Sequence, residues 1–161
     1  MLPILKPYVN MNISLDKVLH SGNLAFGEIA KKFEKHISEF ISNDNVLLVN
    51  SYQNAFHICL SALGLKQGDE VLLSPLACLQ TTQALKSYGM SIKWVDSNIQ
   101  LGTIDKDSLL KSLSNKSKLV IHNHYCGMVG DIEAIKKICK MNNLLLIDDA
   151  IEAFGSKYNN K

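Results

Sequence analysis

No two of the four cysteines, Cys59, Cys78, Cys126 and Cys139, stand at C-x-x-C spacing. A zinc site is therefore not indicated, and each cysteine sits in an apolar or helical context that reads as a buried free thiol in a reducing compartment. There is no basic run or stripe and no acidic tail; the formal charge is only +2, with both signs interspersed. Nucleic acid is excluded as an expected partner on that ground. No apolar run reaches membrane-spanning length. The N-terminal stretch MLPILKPYVN lacks a continuous apolar core followed by a small-residue cleavage site, so no secretory leader is expected. Together these absences predict a cytoplasmic protein without a membrane partner. Internal repeats and low-complexity segments are also lacking.

What is present is the composition of a globular chain: 161 residues, 47% hydrophobic and 20% charged. That is enough for one domain with a real core and too little for two large ones. Residues 1–12 form an arm broken by Pro3 and Pro7, with Ser14 a candidate N-cap for a short helix. Gly22 and Gly27 bracket a loop. Ile29, Phe33, Ile37, Phe40 and Ile41 recur at helical spacing, which predicts an amphipathic helix from Glu28 to Ile41.

Short apolar runs then alternate with helical patterns five times. The expected strands are Val46 to Val49, Val71 to Ser74, Ile92 to Val95, Leu119 to His122 and Leu144 to Ile147. Between them, Ala55, Ile58, Cys59, Ala62 and Leu63 mark one face of a helix ending at Gly64. Cys78 to Tyr88 reads as a helix with Leu79, Leu85 and Tyr88 inward. Asp105 to Leu113 and Asp131 to Met141 complete the set, the latter with Ile132, Ile135 and Ile138 inward. This alternation predicts an α/β fold, a mostly parallel sheet with helices on both faces.

Two places carry candidate chemistry. The polar turn Asn50 to Asn54 joins a strand to a helix N-terminus, where free backbone N–H groups and the helix dipole favour an anion; simple capping by Ser51 or Asn54 explains it equally. The stretch LLLIDDAIEAFG, Leu144 to Gly155, runs a strand into Asp148 and Asp149. Ligands of open α/β sheets sit beyond such strand ends, and turn capping is the plainer alternative.

The order and spacing of several segments add a resemblance. These are a "KP" arm, the Gly22 to Gly27 loop, NSYQNAF, LSALGLKQGDEVLLSP (Leu60 to Pro75), WVDSN with GTID, HNHYCG and IDDAIEAFG. Together they make the chain resemble the DegT/StrS nucleotide-sugar aminotransferases, fold type I enzymes that use pyridoxal 5'-phosphate (PLP). The resemblance implies an incomplete large domain spanning residues 1–161, with 1–27 as arm and loop and the small C-terminal domain absent. It implies that Asp149 pairs with the pyridine nitrogen, and that Ser51, with the backbone of Tyr52 to Asn54, forms the phosphate turn. Leu79 falls where an aromatic residue stacks on the ring, and Glu152 falls where a glutamine lies near the ring oxygen. His124 opens a histidine-containing turn read as structural.

The departures are equally specific. Ser51-Tyr52-Gln53 stands where relatives commonly have Ser-Gly-Thr, which removes a hydroxyl donor and restricts the backbone. Leu79 offers no aromatic face. A carboxylate at Glu152 faces an anionic oxygen. The segment holding the Schiff-base lysine lies beyond Lys161, and Lys157 and Lys161 are too close to the aspartate motif to replace it. The resemblance therefore implies a chain that cannot transaminate alone and a Val46 to Val49 strand without its family neighbours. It further implies a homodimer or a complementing C-terminal chain as partner, and a nucleotide-sugar substrate. A non-catalytic remnant or interaction module of the same fold, a PLP-dependent sugar dehydratase relative, and a receiver-type domain binding a cation through Asp96, Asp148 and Asp149 remain alternatives.

Overall fold

The structure is a computed structural model that describes residues 15–159. The Pro3/Pro7 arm, the Ser14 cap and Lys161 lie outside the described residues. The chain divides into two compact units, Met1–Leu48 and Val49–Lys161.

In the first unit, α1 (Asp16–Leu19) is a single turn and α2 (Glu28–Ile41) has the bounds that its periodicity predicts. Its apolar stripe is not buried: Ile29 and Phe33 are about half exposed, and no residue of α2 is buried. The Glu34 carboxylate accepts the Leu48 N–H at 2.7 Å.

The second unit is built on four strands, β1 (Glu70–Leu73), β2 (Ser91–Trp94), β3 (Ser117–Asn123) and β4 (Leu145–Asp149), all parallel in the order β2-β1-β3-β4. The connecting helices are α3 (Tyr52–Ala62), α4 (Leu79–Ser87), α5 (Lys106–Ser112) and α6 (Ile132–Met141). Strand side chains alternate between the two faces, and so does the core. Val71, Leu73, Leu119 and Ile121 pack with Phe56, Leu60, Ala84 and Leu85 from α3 and α4. Leu72 and Val120 pack with Leu109, Ile135, Ile138 and Cys139 from α5 and α6. Both faces are covered, which explains why the strands read as continuous apolar runs.

Four expectations are corrected. Residues 46–49 form no strand, so four strands alternate with helices and not five. Their apolar character is local, and a strand needs a ladder neighbour that the described residues do not provide. The buried face of α3 is Phe56 and Leu60, spaced one turn apart; Ile58, Cys59 and Leu63 lie on the exposed side. Both faces of α3 are apolar, so periodicity alone could not choose between them. Leu79, at the first turn of α4, points out and is 70% exposed, whereas Leu85 is fully buried. Only Cys139 is a buried thiol; Cys59 and Cys126 are exposed and Cys78 is intermediate.

Side-chain caps fix where the helices begin. Asp105 accepts from Ser108 N at 2.8 Å and Asp131 from Ala134 N at 3.2 Å. The Ser108 hydrogen bonds hold the Asp105 carboxyl below its ordinary range. A depressed carboxyl stabilises the fold above its unfolded pKa, and this contribution fades as pH falls through the folded one. Asp105→Ala should therefore cost about 1 kcal/mol at neutral pH. Denaturant titrations of the two proteins should converge in acid, below the ordinary aspartate range.

Candidate functional site

Alternation along β3 and β4 decides which groups meet at their carboxyl ends. Asn123 and Asp149 are register partners at the end of the two strands. Counting by twos, they share the face of Ile121 and Ile147, under α3 and α4. Asp149 is buried. Its Oδ2 accepts the Tyr52 hydroxyl at 2.5 Å, and its Oδ1 accepts the Ile151 N–H at 3.3 Å. A carboxylate can only accept, so the remaining directions follow. The Tyr52 oxygen lies 2.6 Å from Thr81 Oγ1, which lies 3.3 Å from Cys78 Sγ. Protons therefore run Cys78 to Thr81 to Tyr52 to Asp149. Burial, followed by the Asp149 hydrogen bond, pushes the Tyr52 hydroxyl far above its ordinary range, so it stays a donor. The Tyr52 ring meets Phe56 edge-on at 5.0 Å.

A small cleft opens beside this chain, lined by Leu76, Cys78, Asn123, Asp149, Ile151 and Glu152, among others. Asn123 Oδ1 is buried without a hydrogen-bond partner among the described residues. Asn123, Thr81 and Cys78 were not singled out as site residues from the sequence. Alternation from Ile121 could have found Asn123; nothing local announces Thr81.

The other expected residues are spent on structure. Ser51 Oγ accepts from Asn54 N at 3.2 Å, an N-cap. The Gln53 amide donates sideways to Gln83 Oε1 at 3.4 Å, tying α3 to α4. Glu152 Oε2 accepts the Cys126 N–H at 2.9 Å and anchors the turn Tyr125–Gly127, in which Cys126 adopts φ of 49°. Leu79 faces solvent. Among the described residues, no lysine lines the cleft.

Asp148 points the other way. It lies opposite His122 in the β3–β4 register, and its Oδ1 is 3.0 Å from His124 Nε2. His124 Nδ1 accepts the Gly130 N–H at 3.3 Å, so Nε2 carries the proton and donates to Asp148. The ligand-type atoms of His122, His124 and Asp148 fall within 4.8 Å of one another. Both His124 nitrogens are already engaged, however, so the group is a hydrogen-bonded pair beside a buried imidazole. Since Asp148 and Asp149 leave on opposite faces, they do not form the paired-acid cation site of a receiver-type domain.

The residues present do not admit a bound PLP while the Tyr52 side chain holds Asp149. The carboxylate that the resemblance pairs with a ring nitrogen already holds the Tyr52 hydroxyl and the Ile151 N–H, and the residue expected against the ring faces solvent.

Comparisons with known proteins place the chain in context. The sequence profile of the DegT/DnrJ/EryC1/StrS aminotransferase family matches residues 9–161. The pleiotropic regulatory protein of Geobacillus stearothermophilus is 32% identical over 91% of this chain and 40% of its own length. The GDP-perosamine synthase of Escherichia coli O157:H7 is 31% identical over 97% of this chain and 42% of its own. The crystal structure of NtdA from Bacillus subtilis, with bound cofactor PMP, superposes with a TM-score of 0.84 at 30% identity, over 88% of this chain and 32% of that one. The chain thus spans about two fifths of the length of these curated relatives.

Proposed function

This chain belongs to the DegT/DnrJ/EryC1/StrS aminotransferase family, and on that premise we propose that it is the N-terminal part of the large domain of a PLP-dependent aminotransferase acting on a nucleotide-linked keto-sugar. The observation that carries this reading is the buried Asp149 at the end of β4, next to the N-terminus of α3. A buried acceptor beside a helix N-terminus suits a ligand with a cationic ring nitrogen at one end and a phosphate at the other. Asp149 is the cofactor carboxylate, and the backbone from Ser51 to Gln53 is the phosphate turn. The cofactor-holding lysine and the rest of the catalytic groups come from polypeptide outside these residues. Completion comes from a C-terminal chain or a second copy, in the cytoplasm. The open outer edge of β4 supports this, because no described residue pairs with it. Among the described residues, no helix is long and apolar enough to cross a membrane.

The test is to mix the purified chain with PLP, record its visible absorbance, and treat it with borohydride. The expected result is no single lysine labelled and no amino transfer from glutamate to a nucleotide keto-sugar. Asp149→Ala should weaken what cofactor binding there is. Capture of PLP on one defined lysine would overturn the assignment of that residue to missing polypeptide. A second reading, a non-catalytic interaction module, is favoured by the Tyr52–Asp149 contact and the exposed Leu79. It predicts that Asp149→Ala changes nothing.

A further inference from the structure

We infer that Tyr52 is a built-in plug of the cofactor half-site, its side chain bridging the α3 N-terminus and the Asp149 carboxylate so that a phosphorylated pyridine enters only when Tyr52 swings away. The inference rests on the proposed role of Asp149. It follows from where the two ends of one side chain lie. The Tyr52 backbone is the first residue of α3, within the turn assigned to the phosphate. Its hydroxyl sits on Asp149 Oδ2, the acceptor assigned to the ring nitrogen. A six-membered aromatic ring thus already lies between the two anchors that the cofactor has to join.

The plug is held from several sides. Phe56 meets the Tyr52 ring edge-on, and Thr81 supplies a second hydrogen bond to the hydroxyl. Thr81 is itself buried and backed by Cys78, so the hydroxyl is held by partners on two sides. The bond to Asp149 is charge-assisted, the stronger class. A ligand taking Asp149 must break it, which costs affinity by the fraction of time the site is open. Glycine at position 52 would leave the same space empty.

The probe is pyridoxamine 5'-phosphate, whose amine cannot condense with lysines, titrated by absorbance and equilibrium dialysis against the full chain. Tyr52→Ala should bind it at least about tenfold more tightly than the unaltered chain, as for a site open about a tenth of the time. Tyr52→Phe keeps the ring against Phe56 but frees the carboxylate, and should gain less, about threefold. Adding Asp149→Ala to Tyr52→Ala should abolish the gain. Unchanged affinity in Tyr52→Ala, with Asp149→Ala still weakening the unaltered chain, overturns the plug and leaves the cofactor reading standing. Indifference to Asp149→Ala in both backgrounds, or no binding by any variant, overturns both. Should Tyr52→Ala not fold, Tyr52→Phe decides: tighter binding supports the plug, and equal or weaker binding overturns it.

Discussion

Gly130→Ala should destabilise the protein by about 3 kcal/mol and lower its melting temperature by roughly 8 °C. A Cβ at this position would stand 2.4 Å from Thr103 Oγ1 and 2.8 Å from both Cε1 and Nε2 of His122. Thr103 and His122 are both fully buried, so neither can swing into solvent. Thr103 is also β-branched and stiff. The backbone cannot retreat cheaply either, because Gly130 N–H donates to His124 Nδ1. Glycine is required here for space. A double-mutant cycle checks the cause. Thr103→Ala removes the nearest atom, so Gly130→Ala in that background should cost markedly less. Equal cost in both backgrounds, read from urea unfolding, would show that the Thr103 contact is not the source.

His122→Leu should remove most of the loss of stability on mild acidification, and should not weaken the protein at pH 7. Both ring nitrogens of His122 are buried without hydrogen-bond partners among the described residues. Burial above all, helped by His124 and opposed by Asp148 and Asp131, lowers its pKa from 6.5 to about 4. An unfolded histidine takes up its proton near 6.5. Between these values the unfolded chain binds more protons, so stability is complete above pH 6.5 and declines as pH falls toward 4. That gap corresponds to roughly 3 kcal/mol. Leucine has no proton to take up and no orphaned nitrogen, so its stability should stay flat across the window and gain about 1 kcal/mol at neutral pH. The Asp105 cap acts at lower pH, which keeps the two effects separable. Parallel acid limbs in the two proteins would refute the assignment.

The sheet was legible in the sequence because its central strands, β1 and β3, are buried on both faces. Val71, Ile92, Leu119 and Leu145 each belong to a short apolar run, and each run forms a strand. The same signal misled at Val46 to Val49, since an apolar run states a propensity and not a partner. On α3, Ile58 and Leu63 are as apolar as Phe56 and Leu60, so the pattern contained no vote between faces. At the site, the apolar run put Asp148 and Asp149 at a strand end, and the resemblance singled out Asp149. Its bond to Tyr52 joins residues 97 apart in sequence and has no local signature. Leu79 was read inward from its apolarity, but it sits in the first turn of α4 and faces solvent.

The strand order has a consequence for biosynthesis. β2 joins one side of β1; β3 then adds on the opposite side and β4 beyond it. From β3 onward the sheet grows in one direction, in the order in which the ribosome delivers the strands. The outer edge of β4 is therefore the growth front of the nascent sheet, with the half-buried Leu145 to Ile147 along it. Until a neighbour joins it, that front is the kind of unpaired strand edge for which chaperones and aggregates compete.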